Sequence, residues 1–173
     1  MNREEHIMKA GLRPEDIHSK QLSWLCVEPM LVSVRGRDMA AKTELYRQLN
    51  EGQQALFLFY SYHNHTKSLA EFYWFSACNI TQIKSWNGIK NGMRFFHLDE
   101  MVTVLDQIEC LITDQNKVGE AWREVLATDL EKDPILLQRT EVLYANYQTV
   151  AQAAIAYMNE MILQNQEMYL EIE

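Results

Sequence analysis

Four side chains in this sequence have the chemistry needed to hold a metal ion. His63 and His65 flank a single asparagine, Glu71 follows shortly after them, and His97 lies further along the chain. Imidazole and carboxylate groups on facing helices are the ligands that helical bundles use for zinc or iron. These four residues therefore form a candidate metal site. They predict a metal- or small-ligand-binding bundle, with a metal-dependent enzyme as one version of it.

Other features of the same residues favour a structural role. Two histidines spaced His-x-His on a helix point in different directions, and the sequence has no HExxH motif. Polar residues between two apolar runs are also what a turn requires. Glu71 lies three residues after Ser68, the spacing of a capping box. If it were instead buried in its apolar run, desolvation would raise its pKa unless Lys67 paired with it.

No other catalytic pattern is present. The sequence contains no GxSxG, P-loop or GxGxxG motif, so we predict no catalytic residue and no cofactor. The three cysteines, Cys26, Cys78 and Cys110, are far apart and form no CxxC pair. We interpret them as reduced core thiols of a cytoplasmic protein. No signal peptide is recognised at the start, and no apolar run approaches the ~20 residues of a membrane span.

The elements that would position these residues are two apolar, aromatic-rich runs within residues 55–78. Leu56, Phe59, Tyr60 and His63 recur at helical spacing, and Leu69 begins a second stripe of the same kind. Each run is longer than a typical strand of about six residues. We predict two helices joined by a polar turn. Their rings are expected to fill an interior and not to face a ligand.

The rest of the chain completes an all-α prediction. With 173 residues, 6 Gly and 3 Pro, it suits one helical domain over residues 1–173, with six to eight helices and a long last one. Residues 30–36 contain the β-branched residues of a short strand, but helix or irregular structure is favoured because no partner strand is predicted. The remaining predicted helices are Asn2–Ala10, one opened by Pro14 that Pro29 ends or kinks, 39–49, Ile80–Trp86 followed by loops, His97–Thr113, Glu120–Leu130 and a final one from Ile135 to Glu173.

Charge is distributed unevenly along the chain. The net charge is −8, but residues 1–95 hold 12 Lys and Arg against 9 Asp and Glu, whereas residues 96–173 hold 4 against 15. Phosphate contacts require Lys and Arg, so the second half is unsuited to direct nucleic-acid binding. The sequence-based hypothesis is a non-enzymatic acidic interaction protein, with a basic partner and no membrane association. The final helix, rich in small residues near Ala154, suggests a homodimer, and its acidic end must either fray or dock.

One family resemblance supports this hypothesis. Residues 49–57, 68–75 and 98–112 together resemble the DNA-mimic, antirepressor-type helical family of otherwise unknown function. Ser68–Glu71 stands where that family carries an Asn-Gly-Gly signature, so no site residue transfers. The resemblance implies an acidic, dimeric, non-enzymatic protein that binds a DNA-binding protein in place of DNA.

Overall fold

The computed structural model describes residues 8–173, and most of these residues are helical. The all-α bundle with a long C-terminal helix, predicted from the sequence, is confirmed. The predicted helix Asn2–Ala10 falls largely outside the described residues, and Ala10 itself begins a strand. The described α-helices are α1 (Leu22–Ser33), α2 (Met39–Gln48), α3 (Glu51–His63), α4 (Leu69–Thr81), α5 (Trp86–Phe95), α6 (Asp99–Asn116), α7 (Asp129–Lys132) and α8 (Pro134–Gln164).

Polar caps start the principal helices where the sequence predicts them. Asp38 accepts a hydrogen bond from the Ala41 amide at 2.9 Å and so begins α2. Ser68 accepts one from the Glu71 amide at 3.3 Å, and its hydroxyl donates to the Glu71 carboxylate. Asp133, which Pro134 follows, accepts hydrogen bonds from the backbone amides of Ile135 and Leu136 at the start of α8. Each cap satisfies amide groups that have no partner inside the helix.

Helix α1 continues through Pro29, although the sequence predicts that this proline ends or kinks the helix. It reaches Ser33, so residues 30–33 are helical and a strand over 30–36 is excluded. Proline removes one backbone hydrogen bond and crowds the preceding turn. Here Pro29 is exposed, while Val27 and Met30 on either side of it are fully buried. Burial of these side chains on both sides of the proline offsets the lost bond.

The prediction of loops after Trp86 is wrong, because both Asn-Gly pairs lie inside α5. The glycines permit close packing instead of a turn. A Cβ atom on Gly92 would lie 2.9 Å from the Cα of Ala55, and one on Gly88 would lie 2.7 Å from a methyl of Leu58. Gly92 therefore needs to be glycine for the close approach of α5 to α3, whereas at Gly88 the leucine side chain could move aside. Sequence alone does not distinguish such a packing glycine from a turn glycine.

The predicted helix Glu120–Leu130 is also wrong. The chain forms a hairpin there, in which a strand at Lys117–Val118 pairs antiparallel with one at Ala121–Trp122. Gly119 in the turn has φ +60°, a conformation that favours glycine. The Asp129 carboxylate then accepts a hydrogen bond from the Leu126 amide at 3.1 Å. It also pairs with Arg123, so the segment before α7 is held out of helical geometry.

The chain tail docks within the same molecule. The final helix ends at Gln164, not at Glu173, and a strand at Leu170–Ile172 pairs in parallel with Ala10–Leu12. The capping box formed by Asn50 and Gln53 at the start of α3 contacts both the first described residue, Met8, and the tail. The side-chain amide of Asn50 donates to the Met168 carbonyl at 2.8 Å, and the side-chain amide of Gln53 donates to the Met8 carbonyl at 2.6 Å. The sequence predicted an acidic and therefore unfavourable helix end that either frays or docks. The tail instead leaves the helix after Gln164 and docks.

The core lies between α1, α3, α4, α5, α6 and α8. Trp86 packs back over it as predicted, and its indole N–H donates to the Leu105 carbonyl at 3.3 Å. Cys26 is buried as predicted for a core thiol, but Cys78 is half-buried and Cys110 is exposed. Within residues 8–173, no helix combines the length and apolar character needed to cross a bilayer.

Candidate ligand cavity

The last residue of α3, His63, takes part in the core and not in an open site. Its Nδ1 lies 2.8 Å from the Tyr147 hydroxyl, and its ring stacks on Phe59 with centroids 5.1 Å apart. Burial, with a smaller effect from the Lys67 charge, lowers the pKa of His63 to about 4. The imidazole is therefore neutral at pH 7, and one of its nitrogens is already occupied by Tyr147.

The other predicted metal ligands lie in different surroundings. His65 is exposed, and its ring centroid lies 4.6 Å from that of Phe75. Glu71 is exposed; its backbone N–H donates to the Ser68 hydroxyl, which donates to the Glu71 carboxylate, so Ser68 caps α4 without the reciprocal bond of a full capping box. His97 is exposed in the link between α5 and α6, with φ 56°. No group of three or more His, Cys, Asp or Glu side chains in residues 8–173 is placed to hold a metal ion, so the four residues are not brought together.

The interior between α3 and α4 is filled by hydrogen-bonded tyrosines. Tyr62 is completely buried, and its hydroxyl donates to Ser76 at 2.7 Å, which in turn donates to the Phe72 carbonyl. Tyr60 shares a 2.7 Å hydrogen bond with Ser23 of α1. Burial raises the pKa of both phenols further above its ordinary value, so both stay protonated at neutral pH. These groups stabilise the core, as predicted for the aromatic runs.

Beside this filled core lies a cavity of about 620 Å³, bounded by α1, α2, α3 and α4. Its volume falls within the range of about 300–1,000 Å³ that is usual for small-molecule sites. Most of its wall is apolar or aromatic, formed by Trp24, Leu31, Phe57, Leu58, Phe75 and Ile83. Its polar lining groups include Arg35, Lys42, Ser61, Asn64 and His65. The cavity therefore combines apolar walls with a few polar groups.

Secondary-structure ends create the mouth of the cavity. Four of its lining residues are exposed near the ends of helices. These are Arg35 in the turn between α1 and α2, Met39 at the start of α2, His65 just after α3, and Ile83 just after α4. By contrast, the Phe57 side chain is buried. The cavity thus opens to solvent where three segments end, and its wall runs back from there to the rings of α3.

Sequence reasoning found part of this site. It singled out His65 and the aromatic runs, but Phe57 and Phe75 line the cavity as well as packing against their neighbours. It did not identify Trp24, Arg35 or Lys42 as residues of a ligand site. The apolar environment around Trp24 and the basic Arg35–Gly36–Arg37 turn are visible in the sequence, but only the packing of α1 and α2 onto α3 places them together.

Comparison with protein-family models, with curated proteins and with solved structures gave no match for this chain. The resemblance to DNA-mimic proteins therefore stays a prediction, and the cavity is the feature on which a function can be argued.

Proposed function

We propose that this protein binds a small, largely apolar molecule in the cavity between α1 and α4. The observation that carries the proposal is a space of about 620 Å³ whose wall includes the rings of Trp24, Phe57 and Phe75. A concave space of this size with mostly apolar walls and a few polar groups is typical of small-molecule binding sites. This proposal takes up the small-ligand version of the sequence-based alternative.

Aromatic walls suit such a ligand for two physical reasons. Removing apolar surface from water contributes about 25 cal/mol per Å², and rings add favourable stacked or edge contacts. Trp24 and Tyr60 already form an edge contact with centroids 5.4 Å apart, and Tyr60 is fixed by Ser23. The wall is therefore held in place before a ligand arrives, which reduces the entropic cost of binding.

A neutral ten-carbon alcohol, 1-decanol, tests this proposal. We expect it to bind, quenching or shifting the fluorescence of Trp24, with the affinity measured by calorimetry. Ser61→Phe places a ring in the cavity and should weaken binding by about tenfold or more, a loss of about 1.4 kcal/mol. Thr149→Phe, on the exposed face of α8, is the matched control and should bind as the wild type does. Equal affinities for the two variants would overturn the proposal.

We propose a second function, an interaction with a basic protein, because most carboxylates of the second half form no ion pair within residues 8–173. Of the 15 carboxylates after residue 95, the described ion pairs use only Asp106, Glu109, Asp114, Asp129 and Glu171. A lysine-rich peptide should bind at low ionic strength and dissociate near 1 M salt, where the Debye length is about 3 Å. Binding that survives such salt would count against an electrostatic interface.

A further inference from the structure

The charged groups of the cavity have one sign. Arg35 and Lys42 both line it, and no Asp or Glu does. This lining contrasts with the whole chain, in which 24 Asp and Glu outnumber 16 Lys and Arg. In residues 8–173, neither cation forms an ion pair with a carboxylate. The positive charge in the cavity is therefore available to a ligand.

Hydrogen-bonding groups beside the cations are available too. The Ser61 hydroxyl and the Asn64 amide line the cavity, and neither side chain has a hydrogen-bond partner among the described residues. By contrast, Ser85, which also lines the cavity, already donates to Asn79 at 2.7 Å. Hydroxyl and amide groups donate hydrogen bonds to anionic oxygens, and Arg binds carboxylate or phosphate through a planar pair of N–H groups. The free groups thus match an oxyanion.

The positions of these groups give the bound molecule a direction. Arg35 is exposed at the mouth and Lys42 is half-buried in the first turns of α2. The buried rings of Phe57 and Tyr60 form part of the cavity wall on the α3 side. An apolar chain that enters between the rings leaves its end group near the mouth, where desolvation of a charge is incomplete and less costly. We propose that the cavity selects amphipathic anions, molecules with an apolar body and a carboxylate or phosphate end held by Arg35 and Lys42.

This inference rests on the proposed ligand-binding function and specifies its ligand class. Four probes with the same ten-carbon chain test it: decanoate, decyl phosphate, 1-decanol and decyltrimethylammonium, each titrated at neutral pH. We expect at least one of the two anions to bind about tenfold more tightly than decanol, and the cation to bind no better than decanol. The relative affinities of decanoate and decyl phosphate identify which oxyanion fits better.

Two double variants with the same change in net charge assign the effect to the cavity. Arg35→Gln with Lys42→Gln should remove the preference for anions, so that decanoate and decyl phosphate bind this variant no more tightly than decanol binds it. Arg37→Gln with Arg47→Gln changes exposed cations that do not line the cavity, and should leave all four affinities unchanged. An equal loss of anion binding in both double variants would overturn the inference, since the effect would then be one of overall charge.

The probes also separate this inference from the function beneath it. Binding of decanol without any preference for an anion would overturn only the anion selectivity. Failure of all four probes to bind would overturn the ligand-binding function and the anion selectivity together.

Discussion

Replacing Tyr169 with alanine lowers the free energy of unfolding by about 3–5 kcal/mol, the usual cost of removing a large buried aromatic side chain. Tyr169 is only 3% exposed, although only four residues follow it in the sequence. It packs against Gly52, where a Cβ atom would lie 2.1 Å from the tyrosine hydroxyl. Its carbonyl accepts a hydrogen bond from Ala10, which starts the two-stranded sheet. Denaturant unfolding monitored by circular dichroism measures the loss.

Two further substitutions show what the Tyr169 result means. Tyr169→Phe keeps the ring and should cost less than about 1 kcal/mol, because the hydroxyl has no hydrogen-bond partner in the described residues. Tyr157→Ala, on the outer part of α8 and 37% exposed, should cost much less than Tyr169→Ala. If Tyr169→Ala costs no more than Tyr157→Ala, the tail is not docked on α3 as the structure shows.

The second large effect is a loss of stability in acid that originates at His63. In the unfolded chain a histidine takes up a proton near pH 6.5, whereas burial holds the pKa of His63 in the folded protein at about 4. Between these values the unfolded state binds more protons, so stability falls as the pH is lowered from about 6.5 to 4. Above about pH 6.5 both states are neutral and this contribution is absent. The full difference corresponds to up to about 3 kcal/mol.

A comparison of variants isolates this contribution from that of the carboxylates, which also titrate in acid. His63→Gln retains a hydrogen-bonding side chain opposite Tyr147 but does not titrate. Its unfolding free energy should therefore fall less steeply than that of the wild type between pH 6.5 and 4. His65→Gln, two positions along and exposed, is the control and should reproduce the wild-type slope. Parallel curves for wild type and His63→Gln would show that the imidazole is not buried in neutral form.

The metal hypothesis illustrates how a short sequence pattern differs from a site. His63 and His65 are two residues apart, but the first ends α3 against Tyr147 and the second is exposed beside Phe75. The geometry of a helix end separates them, as the spacing already indicated. Ser68 caps α4 as predicted, and Glu71 accepts a hydrogen bond from the Ser68 hydroxyl, but the reciprocal bond from the Ser68 backbone that would complete the predicted capping box is not formed.

The sequence by itself determined where three of the helices begin and that most rings of the aromatic runs are buried. Helical periodicity and the caps at Asp38, Ser68 and Asp133 located the starts of α2, α4 and α8, because a cap and the amides it satisfies lie within three residues of each other. Most rings of the aromatic runs lie in the core as predicted, because an apolar stripe along a helix must be buried somewhere, but Trp74 is exposed and Phe75 is partly buried and lines the cavity. These features need no information from distant parts of the chain.

Tertiary structure decided what depends on the meeting of distant segments. Gly92 is a packing position and not a turn because Ala55 lies against it, and the tail forms a strand because Ala10 offers it an edge. The cavity exists because α1 and α2 leave space over α3, which brings Arg35 of a surface turn near Ser61 of a core helix. Loop-closure entropy makes such contacts costly to form, and packing across the whole core, which no local pattern records, stabilises them.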